Sequence, residues 1–164
     1  MELDPCALVT EADIALVLGT DAVQMDDGPD ECSWVQRSPD QRSPDQSSWS
    51  LRLELSDRSN VQAPVIIVTK SEITYSHDPP PKVERPPDPN RNTVEPLSIG
   101  SDGSMLFEHG VLHVRWAHHD TFLNLELTSS SSDAAAVRAR SESMKQLAQR
   151  IDAAVGARAT HQGR

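Results

Sequence analysis

Between residues 49 and 55 the chain alternates without interruption: Trp49, Leu51, Leu53 and Leu55 are separated by Ser50, Arg52 and Glu54. Successive side chains of a strand point to opposite faces, so this register demands a sheet with one buried and one wet face. The same period returns near the end, where Thr121, Leu123, Leu125 and Leu127 face one way and Phe122, Asn124 and Glu126 the other. Together with 104–108 and 111–118, the segment 121–127 predicts a three-strand antiparallel meander. Its short turns are Glu108-His109-Gly110 and His118-His119-Asp120. Cys32 to Gln36 reads as a further strand with Cys32 and Trp34 on one face. The β-branched run Val65 to Val68, continued by Ile73 and Tyr75, predicts a more central strand over 64–75.

Helical signals lie at the two ends. Thr10 is a good N-cap, Asp13 can close a capping box with it, and Val9 and Ile14 suit a hydrophobic staple. Ile14, Val17 and Leu18 follow helical spacing and Gly19 supplies a left-handed stop, so 10–18 is expected to form a short helix. Ser129 to Ser132 is read as a flexible lead into a final helix, with Asp133 at its positive end. Val137, Met144, Leu147, Ala148, Ile151 and Val155 form an apolar stripe, and Gly156 is expected to end it. The fold class that follows is α+β: a twisted antiparallel sheet carrying a short N-terminal helix and a longer C-terminal one.

At 164 residues the chain suits one compact domain, taken here as 1–157 with a disordered tail at 158–164. Half of the twelve prolines fall within 78–92, which predicts an extended connection inside that domain, because proline lacks the amide donor a central strand needs. Residues 20–31 read as a solvated polar turn, since their acids do not match the spacing of a calcium loop. The pentapeptide Arg37-Ser38-Pro39-Asp40-Gln41 is repeated as Arg42-Ser43-Pro44-Asp45-Gln46, a hairpin tip lengthened by duplication.

Lysine and arginine number 15 against 25 acids, a net charge of −10. That balance argues against nucleic-acid backbones and anionic membrane surfaces, which are bound through clustered basic residues. No stretch approaches the apolar length of a bilayer span. His109, His113, His118, His119 and Asp120 are close in sequence, but they lack paired ligand spacing and read as exposed turn histidines. No nucleophile elbow, dinucleotide fingerprint or phosphate loop occurs. No catalytic residue, metal ligand or cofactor is therefore expected.

Cys6 and Cys32 are the only cysteines. From the residues alone a disulfide, two inert buried thiols and a reactive thiol all remain open. A bridge would close a loop of about 25 residues and stabilise by roughly 3 kcal/mol through loop-closure entropy.

Asp4-Pro5-Cys6-Ala7-Leu8-Val9-Thr10-Glu11-Ala12-Asp13, then Val17-Leu18-Gly19 and Cys32-Ser33-Trp34, resemble a family of actinobacterial secreted and lipid-anchored proteins grouped as a domain of unknown function. Leu97-Ser98-Ile99-Gly100, Gly110 to Arg115, Phe122 to Leu127 and an alanine-rich final helix extend the resemblance over most of 4–155. It implies an exported α+β domain with a Cys6–Cys32 disulfide, and it implies no reaction. The chain opens without a basic and apolar leader, so a signal is expected to have been removed or to lie upstream. Cys6 lacks the context of a lipidated cysteine, and an anchor would need an upstream lipobox.

The expected role is a non-enzymatic domain of the cell envelope or its exterior that binds a protein or small ligand through the helix-free sheet face. Trp116, Phe122, His118 and His119 are the candidate binding residues. The alternative is an acidic intracellular partner of the inhibitor or immunity type, steered to a basic target by its charge. An envelope hydrolase or metal-dependent enzyme comes third.

Overall fold

The computed structural model describes residues 3–25, 28–36, 48–57, 88–131 and 133–161. A 3-10 turn at Cys6–Leu8 leads into helix α1, Glu11–Leu18. Strands β1 (Ala22–Met25), β2 (Glu31–Gln36) and β3 (Trp49–Asp57) follow, then β4 (Thr93–Pro96), β5 (Ser101–Glu108), β6 (Val111–His118) and β7 (Thr121–Ser129). Helices α2 (Ala134–Arg138) and α3 (Ser141–His161) end the chain. The strands form one antiparallel sheet in the order β1-β2-β3-β7-β6-β5-β4. Two meanders thus meet at its centre, where β3 pairs with β7 along their whole lengths.

Register turns the sequence alternation into a core. Trp34, Leu51, Leu127, Leu112 and Phe107 lie opposite one another across five strands, and Cys32, Leu53, Leu125, Val114 and Met105 form the next row. All but Met105 are buried, and α1, α2 and α3 lie over this face. Val137, Met144, Leu147, Ala148 and Ile151 are fully buried against it, the stripe that the sequence predicts. Burying each such leucine or isoleucine stabilises the fold by about 2 kcal/mol.

α1 begins as its residues dictate. The Thr10 side chain accepts from the Asp13 amide at 3.2 Å, and the Asp13 carboxylate accepts from the Thr10 amide at 3.0 Å. Gly19 closes the helix at φ +88°, ψ −179°, a conformation open to glycine but extended in ψ, in place of the left-handed helical turn expected.

Four expectations need correction. Residues 20–31 are more than a polar turn, because Ala22–Met25 adds to the sheet as edge strand β1. The final helix is two helices, broken at Ala139 and Arg140, where an arginine interrupts the apolar stripe and turns away to serve α1. Gly156 does not end α3 and 158–161 is no disordered tail: α3 runs to His161, and Arg158 anchors it by donating to the Ala7 carbonyl at 2.6 Å. The lead after β7 is held in part, since the Ser130 amide donates to the Ser48 carbonyl at 2.9 Å and Ser48 returns the bond to the Ser130 hydroxyl. The duplicated pentapeptide, the strand expected over 64–75 and the proline run through residue 87 lie outside the described residues. Among the described residues no helix is long and apolar enough to cross a membrane.

Candidate functional site

Cys6 and Cys32 form a disulfide, with their Cα atoms 5.2 Å apart. It ties the turn preceding α1 to β2, two residues from Trp34. Between these tied elements lies a groove of about 480 Å³. Val9, Ile14, Ala15, Ala22 and Trp34 supply its apolar lining, and Thr10, Glu11, Thr20 and Gln24 its polar lining. No lysine, arginine or histidine lines it among the described residues.

Three arginines of α2–α3 and their partners hold the groove's helical wall. Arg140 donates to the Val17 carbonyl in the last turn of α1, which has no basic residue of its own there. Arg150 donates to Asp13 at 2.7 Å and Arg158 to Ala7. Burial works against the charge on Asp13, but hydrogen bonds from Thr10 and Arg150 outweigh it and hold its pKa below the usual aspartate value. A cation at a helix C-terminus and an anion near its N-terminus both favour α1 through the macrodipole.

The four residues expected to bind a ligand do not converge on the helix-free face. Trp116 shares the parity of Leu112 and Val114, so it points toward the helices and is fully buried. Its indole N–H donates to Asp152 of α3 at 3.1 Å. That buried position rules Trp116 out as an exposed anchor. The His118 ring hydrogen-bonds the same Asp152 oxygen at 2.8 Å, so this cluster braces β6 against α3. His119 is exposed in the following turn at φ +53°, its ring edge-on to that of His118. Phe122 does occupy the helix-free face, half-buried, with Ser56 and Ala117 as its cross-strand neighbours.

Elsewhere on that face polar side chains pair across the strands. Arg52 pairs with Glu31 at 2.6 Å, and Arg115 donates to Asn124 at 3.2 Å. His113 lies 3.5 Å from Glu126 with its side chain only 13% exposed, so it is a strand residue and not the exposed turn histidine expected. Burial, assisted by the Arg115 charge, lowers the His113 pKa. Among the described residues no group of three or more His, Cys, Asp or Glu could hold a metal ion.

The sequence reading missed the groove because it missed β1. Ala22-Val23-Gln24-Met25 is a four-residue run set against Asp26, Asp27, Gly28 and Pro29, and turn chemistry outweighs so short an alternation. Compared with known protein families, curated proteins and solved structures, the chain matches none.

Proposed function

We propose that this chain is a non-enzymatic binding domain of the bacterial cell envelope or its exterior, taking its ligand in the groove between α1 and the β1–β2 hairpin. The observation that carries the reading is the Cys6–Cys32 bridge beside that groove. Disulfides persist in oxidising compartments and are uncommon in the cytosol. This one joins the segment bearing the groove's helical wall to the strand bearing Trp34, a covalent tie that adds to the arginine contacts in pre-organising the recess. The resemblance to exported actinobacterial proteins supports the same compartment. The binding role rests on a recess with mixed apolar and polar lining, where apolar area supplies affinity and polar groups fix orientation.

Two measurements test it. Protein recovered from the cell fraction where it accumulates should resist alkylation before reduction and take up two alkyl groups after it. Free thiols would place it in a reducing compartment and favour the acidic intracellular partner. Ala12→Trp, at an exposed position on the groove's rim, should abolish retention of whatever the wild-type domain captures from envelope extract. Unchanged retention would move the site elsewhere.

A further inference from the structure

Among the described residues the sheet ends in two strands of equal length, β1 and β4, and they differ in chemistry. β4 reads Thr93-Val94-Glu95-Pro96, with a proline and with a glutamate held by Lys145 at 2.8 Å. Proline and charge are the devices that keep an edge from pairing with another chain. β1 reads Ala22-Val23-Gln24-Met25 and carries neither. Among the described residues it pairs only with β2, so alternate residues turn their N–H and C=O groups outward.

The two faces beside β1 differ as well. Ala22 and Gln24 line the groove under α1, together with Glu11. Val23 and Met25 have the opposite parity and are 47% and 38% exposed, large apolar side chains left at the rim of the helix-free face. Glu11, which lines the groove, and Asp21, which directly precedes β1, are exposed acids at this edge, whereas the buried Asp13 already has Arg150.

We infer that β1 is a docking edge for an extended peptide alternating apolar and basic side chains, which adds to the sheet as an eighth strand. This rests on the groove being the binding site. The peptide backbone would pair with the outward groups of β1. One set of its side chains would cover Val23 and Met25, and the other set, one face over, would meet Glu11 in the groove. The acidic rim selects a basic partner and speeds its approach.

The probe is the blocked hexapeptide Ac-(Val-Lys)3-NH2, titrated into the intact, oxidised domain near physiological salt and followed by amide NMR. Resonances of 22–25 and Glu11 should shift, and the outward amides of β1 should exchange at least tenfold more slowly. Methylating alternate peptide nitrogens, which removes edge pairing and keeps the charge, should weaken binding at least tenfold. Replacing lysine by glutamate should do the same. Val23→Pro and Gln24→Pro give a second readout: the substitution on the outward amide should leave the fold intact and abolish binding. The inference is overturned if the methylated peptide binds equally, if shifts spread over distant acids, or if β1 amides are already protected without peptide. Shifts at Glu11 and Trp34 with the methylated peptide would preserve the groove and remove only strand addition. Silence of every groove residue toward all these peptides would also overturn the inference, while the Ala12→Trp capture experiment decides the groove separately.

Discussion

The guanidinium of Arg140 lies 3.8 Å from the ring centre of Trp49, between two helices and the start of the central strand β3. The same side chain donates to the Val17 carbonyl, so one residue at the α2–α3 break reaches α1 and the sheet together. A charged hydrogen bond contributes about 1.5–3 kcal/mol and a partly desolvated cation–π contact about 1 kcal/mol.

Arg140→Met, which keeps the aliphatic stem, is expected to lower unfolding stability by about 2 kcal/mol. Urea titration measures this, and a loss below about 0.5 kcal/mol would show the contact to be incidental. Arg140→Lys should fall between, since an ammonium cannot stack and fork as a guanidinium does.

At the start of α1, Thr10→Ala removes the side chain that accepts from the Asp13 amide and should cost about 1 kcal/mol. Because Asp13 has a folded pKa below its ordinary 3.8, its contribution is complete above that value and is lost as pH falls through the folded one. Asp13→Asn should therefore show less acid-induced loss of stability than wild type below pH 3.8, from a lower starting level. Equal acid slopes in parallel unfolding curves would exclude this.

His113 works over a different range. Its pKa is depressed by burial, so below the ordinary 6.5 the unfolded chain takes up a proton that the folded chain refuses. Its contribution is present above 6.5 and is lost as pH falls toward the folded value. Between pH 7.5 and 5.5 the urea midpoint of wild type should drop, and His113→Gln should flatten that drop. A steeper fall in the variant would contradict the assignment.

Gly156 lies inside α3 where the helix crosses His118. A Cβ there would sit 3.5 Å from the His118 ring, an ordinary contact. Gly156→Ala should therefore stabilise the domain by about 0.5–1 kcal/mol through helix propensity. Gly156→Leu should destabilise it by displacing His118 from Asp152. Thermal midpoints moving in opposite directions would show that the space beside His118 accepts a methyl group but no larger side chain.

Much of the fold is legible from residues alone because its signals are local. The alternation at Trp49 to Leu55 and at Thr121 to Leu127 specifies strands with one apolar face, and Thr10 with Asp13 announces α1. The candidate site is less legible. Trp116 shares strand β6 with the exposed turn that follows it, and only the assembled sheet shows that its parity carries it beneath α3. Gly156 carries a stop signal, yet α3 continues through it to His161.

What the sequence determined by itself was the set of elements with repeated short-range patterns: both ends' helices, five of the strands, and the apolar face of β2, β3 and β7. Periodicity and capping act over a few residues and are written where they act. Tertiary structure decided the strand order, the addition of β1, the break at Arg140 and the groove beside the disulfide. Those depend on partners far apart in the chain, such as Arg140 with Val17 and β3 with β7, and the free energy of such contacts exists only once the chain has brought them together.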